Sequence, residues 1–153
     1  MSGTIQAFQD TSVTVTGTSW TELVALAVMP ADTPATEGRI CPQHSQMCFE
    51  VENNSAASGD DLSDFEVQIK VHPSSTEWRV WMTGANLDGS PSRVGGLTWR
   101  NAIASVIKTL AKDGSAARAI WLPPCYAVRL AAKPATGKTV TLAVRGIISE
   151  WPI

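Results

Sequence analysis

The stretch from Met47 to Met82 limits what this chain can fold into more than any other. Phe65, Val67, Ile69 and Val71 alternate with Glu66, Gln68, Lys70 and His72. Period-two alternation sends apolar side chains to one face of an extended strand and polar ones to the other. Met47, Phe49 and Val51 repeat the pattern against Cys48, Glu50 and Glu52, and Trp78-Arg79-Val80-Trp81-Met82 supplies a third extended run. A half-buried strand needs further strands to cover its dry face. The rest of the chain reads as that cover.

The surrounding sequence agrees. Thr4 to Phe8 and Ser12 to Thr16 read as short strands, with a turn at Gly17-Thr18-Ser19. A strand from Glu22 stops before Pro30, and Ala31 to Gly38, with two prolines, reads as loop. Asn53 to Ser63 is too long for a tight hairpin and is expected to join strands across a sandwich or to carry an extended tip. Gly84 to Gly96 reads as loop. In Ala102 to Lys112, Ile103, Val106, Ile107 and Leu110 fit helical spacing, Asn101 is a plausible cap and Asp113-Gly114 a stop, so a short helix is expected there. Ala117 to Leu122, then Tyr126, Val128 and Leu130, then Val140, Leu142 and Val144, and finally Ile147 to Trp151 return to strand pattern. Roughly eight to ten short strands with turns between them argue for a sandwich or barrel, and an antiparallel β-sandwich of jelly-roll type is expected. The 153 residues are expected to form one such domain, with residues 1–9 as an N-terminal arm.

Composition bears mainly on partners. The formal net charge of −2 offers no general attraction to nucleic acid or anionic membrane. Charged residues make up 17%, below the roughly 25% of soluble domains, as suits a subunit that meets neighbours over much of its surface. The opening Met-Ser-Gly-Thr-Ile-Gln has no basic start and no long apolar run, so no secretory signal is expected. Three cysteines, an odd number, fit free thiols made in a reducing compartment.

Four local patterns invite a chemical reading. Cys41, His44 and Cys48 lie within eight residues, and Cys125 could complete a Cys3His zinc set. The spacing is not that of a zinc knuckle, and small thiols packed near a strand end are the preferred reading. Asp60, Asp61 and Asp64 beside Asn53 and Asn54 could offer oxygen ligands to calcium, but their order is not that of an EF-hand and a solvated loop is preferred. Gly137-Lys138-Thr139 lacks the earlier glycine of a phosphate loop, where Ala132 stands, and reads as a hairpin turn. The histidines, His44 and His72, have no serine in a nucleophile elbow to serve. No catalytic residue, metal or cofactor is assigned.

Six tryptophans against one tyrosine is the last unusual feature. Tryptophan buries much area at small entropic cost and is a favoured interface anchor. Core packing should claim about half of them. Trp20, Trp78, Trp81, Trp99 and Trp151 are taken as interface candidates, with Trp78 and Trp81 facing opposite ways.

Two runs carry a resemblance. Phe49-Glu50-Val51-Glu52-Asn53-Asn54 followed by Leu62 to Pro73, and Trp121 to Ala132 followed by a Thr/Val strand, resemble small virion structural proteins of tailed bacteriophages and prophages. The likeness covers roughly Phe49 to Val144 and is one of strand and turn texture. It implies a non-enzymatic capsid decoration (cement) protein, or a head, neck or tail component. It further implies homo-oligomeric assembly, with a trimer favoured, contact with the major capsid protein or other virion proteins, synthesis in the bacterial cytoplasm and residence in the virion. No individual residue is carried over from it. The rival readings are a carbohydrate-binding module of a tail or adhesin, needing two tryptophans on one solvent face, and a small hydrolase built on His44 or His72.

Overall fold

The computed structural model describes residues 5–27, 45–89 and 106–150. They form eight strands and one short helix: β1 Ile5–Val15, β2 Thr21–Ala27, β3 Ser45–Asn53, β4 Leu62–Lys70, β5 Arg79–Thr83, α1 Gly84–Gly89, β6 Ser115–Leu122, β7 Ala127–Pro134 and β8 Val140–Glu150. Two antiparallel four-stranded sheets result. Sheet A has the order β1-β8-β3-β6 and sheet B the order β2-β7-β4-β5.

The pairing has a simple origin. β1 pairs with β8, β2 with β7, β3 with β6 and β4 with β5. A chain paired in this way is one long hairpin, rolled until β3 also meets β8 and β4 meets β7. That is the jelly roll expected from the alternation. Only β4 and β5 are consecutive neighbours in one sheet; every other connection crosses between sheets. The Asn53 to Ser63 loop crosses as expected. The turn at Gly137, where φ is +74°, is tight, but it joins β7 of sheet B to β8 of sheet A and is no hairpin.

The alternating residues fill the space between the sheets. Met47, Phe49 and Val51 from sheet A meet Phe65, Val67 and Ile69 from sheet B, all buried. The Phe49 and Phe65 rings stack across the gap with centroids 5.9 Å apart. Gly146 is required here by close approach. A Cβ at this position would lie 2.6 Å from Cζ of Phe8, 2.9 Å from Cα of Phe49, and against the carbonyl oxygen of Cys48.

Three expectations are corrected. The segment read as a free arm is, from Ile5 to Gln9, the first half of β1 and pairs with β8. The two short strands expected before Gly17 are one strand with a bulge between Asp10 and Val13, where the Asp10 carboxylate accepts the Ser12 N–H at 3.1 Å. The helix is not at 102–112. Residues 102–105 lie outside the described residues, and Val106 to Lys112 form turns. Their backbone is claimed from elsewhere: the Asp88 carboxylate accepts the N–H groups of Ile107 (2.9 Å) and Lys108 (3.1 Å), and the Leu110 carbonyl accepts from Leu62 (3.1 Å). Ile107 and Leu110 still point into the core, so the apolar spacing was a true burial signal. The helix forms instead at Gly84–Gly89, within the stretch expected as loop. There the Thr83 hydroxyl donates to the Asn86 side-chain oxygen (2.7 Å) and accepts from the Asn86 backbone N–H (3.2 Å) across its first turn.

Candidate functional site

The patterns that invited chemistry are used structurally. Cys48 lies on β3 between inward-facing Met47 and Phe49, so it faces out of sheet A, whereas Cys125 is buried in the core. Cys41 and His44 lie outside the described residues. Burial pushes the Cys48 thiol up from its ordinary value. Asn53, fully buried, donates from its amide to the carbonyls of Asp60 (2.9 Å) and Leu110 (3.0 Å) and accepts from the Ser55 N–H (3.1 Å). It pins the β3–β4 connection to the approach to β6. Asp60 accepts from the Ala57 N–H within its turn, and Asp64 from the Phe65 N–H at the start of β4. His72 is exposed, and its Nδ1 accepts the Ser74 N–H at 3.0 Å. Among the described residues, no three His, Cys, Asp or Glu gather as a metal site, and no helix is long and apolar enough to cross a membrane.

What remains is surface, and its edges come first. An open sheet edge invites another strand unless it is blunted. β1 carries the bulge at Asp10–Val13, and β2 has one between Glu22 and Val24. β5 is five residues long and its register shifts across Trp81. On β6 two carbonyls are capped by side chains. The Trp81 indole N–H donates to the Trp121 carbonyl (2.8 Å), and Arg118 donates to the carbonyl of Ala117 (2.8 Å). Arg118 also holds the Leu87 carbonyl (2.9 Å) and the Asp88 carboxylate (2.8 Å), tying α1 to this edge.

The outer face of sheet B is closed by its own polar groups. Glu66 and Gln68 are only 8% and 6% exposed although they point away from the core. Across β2, β7 and β4 runs a connected chain: Glu22 pairs with Arg129 (3.5 Å), Arg129 donates to Gln68 (2.5 Å), and Gln68 donates to Glu66. The Arg129 guanidinium lies 4.6 Å from the centroid of the Trp78 ring, with the Lys70 ammonium at 5.8 Å. The Lys133 ammonium lies 4.7 Å from that of Trp20.

The outer face of sheet A differs. Its side chains lie in rows across the strands. Ala7, Ile147, Cys48 and Ala119 share one row. Gln9, Arg145, Glu50 and Ala117 form the next, and on the other side Ser149, Gln46 and Trp121 form a third. The middle row carries no charge. A groove of about 330 Å³, lined mostly by Phe8, Cys48, Phe49, Ala117, Gly146 and Ile147, opens along it. Ile147 and Trp121 are 41% and 42% exposed. Arg145 borders the groove, paired with Glu50 and, at 2.6 Å, with Glu52. The two carboxylates push its guanidinium further up from its ordinary value.

Of the interface candidates, Trp20 and Trp78 are half-buried beneath cations on sheet B, Trp81 is exposed and caps the β6 edge, and Trp99 and Trp151 lie outside the described residues. Trp121, absent from that set, stands at the corner of the apolar face. Strand parity alone could have found it, since Ile120 and Leu122 on either side are buried. No protein-family model and no curated protein matches this chain.

Proposed function

We propose that this chain is a non-enzymatic structural subunit of a tailed-phage particle, a decoration protein that bridges neighbouring capsid subunits and works in symmetric copies. The observation that carries the reading is the uncharged row and groove across the outer face of sheet A, on a stiff jelly roll whose edges are blunted. Such a face suits being held against other protein. Jelly rolls serve as viral capsid domains and as lectins. The lectin alternative asks for tryptophan rings open to a sugar: Trp20 and Trp78 each carry a cation within about 5 Å of the ring centroid, and Trp81 and Trp121, each 42% exposed, are the rings it would use. The hydrolase alternative asks for a histidine beside a nucleophile; His72 spends its Nδ1 on a turn, and His44 lies outside the described residues.

The test is cosedimentation with intact heads of the phage or prophage that carries the gene. Saturable binding at a fixed number of copies per capsid, with a raised temperature of DNA release, is the expected outcome. Absence of binding to heads, necks and tails alike would refute the reading.

A further inference from the structure

We infer that the outer face of sheet A binds a second copy of this chain about a two-fold axis. This deepens the homo-oligomer part of the proposed function and rests on it. Strand addition at an edge is disfavoured, because β1 and β2 bulge, β5 is short, and β6 has two carbonyls capped. Association therefore uses a face. Sheet B has committed Glu22, Arg129, Gln68 and Glu66 to one another, and separating them would leave desolvated polar groups. Sheet A pairs Arg145 with Glu50 and Glu52 as well, but keeps an uncharged row beside them and a groove along it.

The area suffices. Four strands about 4.8 Å apart and nine residues long at about 3.3 Å each give a flat face of roughly 600 Å². Corrugated by side chains, such a face approaches the roughly 800 Å² per partner of a standard interface.

The pattern on the face is self-complementary. Place the two-fold axis across the strands at the level of Cys48 and Ile147. Each strand then lies over its own counterpart, reversed. The uncharged row of Ser149, Gln46 and Trp121 meets the row of Arg145, Glu50 and Ala117 in the second copy. Trp121 faces the small Ala117, which lines the groove, so a large ring meets a hole. The Gln46 amide faces the Glu50 carboxylate as donor to acceptor, and the Ser149 hydroxyl faces the Arg145 guanidinium as acceptor to donor. Among these three described rows no like charges oppose each other. Cys48 and Ile147 meet their own counterparts near the axis. This pairing replaces the trimer expected from the resemblance, because a face used in this way closes at two copies.

Sedimentation velocity on the full chain tests it. A monomer–dimer equilibrium is expected. Trp121→Ala should weaken the dimer about thirtyfold or more, as loss of an interface anchor does. Gln46→Glu, which sets a second carboxylate against Glu50, should also weaken it, and adding Glu50→Gln to the same chain should restore it. This pair exchanges groups of near-equal size and remains informative if Trp121→Ala folds poorly. A strict monomer, a trimer, or a dimer indifferent to Gln46→Glu and Trp121→Ala would overturn the inference. A monomer that still binds phage heads would sink the two-fold contact alone, whereas a dimer that obeys these tests and binds no particle would uphold it and sink the virion reading.

Discussion

The two outer faces of this sandwich come from the same alternating code but end in opposite states. On sheet B the outward positions of β4 and β7 are Glu66, Gln68 and Arg129, long polar groups able to reach one another across the strands. They close that face. On sheet A the outward positions beside the axis of the sheet include half-buried Cys48 and Ile147, 41% exposed, too short or too apolar to satisfy anything but another surface, while Ala119 in the same row is already buried. Polar periodicity marks which side chains face outward, but whether those side chains bond among themselves decides whether the face is finished.

This contrast can be broken or sharpened by substitution, taken here from the largest expected effect. Gly146→Val, beneath sheet A, has no room beside Phe8 and the Cys48 carbonyl, and should cost more than about 3 kcal/mol, with Tm falling by roughly 10 °C in a thermal melt. Asp88→Ala should cost about 2–3 kcal/mol by denaturant titration. It leaves two N–H groups without their acceptor and takes one of several partners from the Arg118 guanidinium, which is only 13% exposed. Arg129→Ala opens the sheet B chain and should cost about 1–2 kcal/mol, with a shift in tryptophan fluorescence as Trp78 loses its cation. The Cys48 thiol, raised by burial, should alkylate more slowly near neutral pH than a free peptide thiol, followed by mass spectrometry. Because its folded pKa exceeds the unfolded value, its contribution to stability is complete below the ordinary thiol pKa of about 8.5 and is lost as pH rises through the folded value. Ile147→Ser, on the open face, should change the stability of the isolated subunit by no more than about 0.5 kcal/mol. A large loss there, or none at Arg129, would reverse the contrast.

Much of this architecture was legible before any coordinates. Phe65, Val67 and Ile69 announced a strand with one dry face, and the length of the 53–63 loop announced a crossing between sheets. Local pattern failed where a distant group intervened. Ile107 and Leu110 have helical spacing, yet an aspartate nineteen residues before Ile107 takes the N–H groups that a helix there would have used. Asn53 looked like one of several oxygen ligands in a loop, and became a buried pin because its partners, Asp60 and Leu110, come from two different connections. The exposed face could not be located from alternation alone. Glu50 and Glu66 look alike in sequence, and only the register shows that one borders a groove while the other ends a closed chain of hydrogen bonds.

Hydroxyl-radical footprinting of the assembled protein against the dilute subunit tests the central claim most directly. Trp121, Cys48 and Ile147 are expected to lose reactivity as the concentration rises, while Trp20 and Trp78 keep theirs. Protection of Trp20 and Trp78, with Trp121 and Ile147 unchanged, would contradict it.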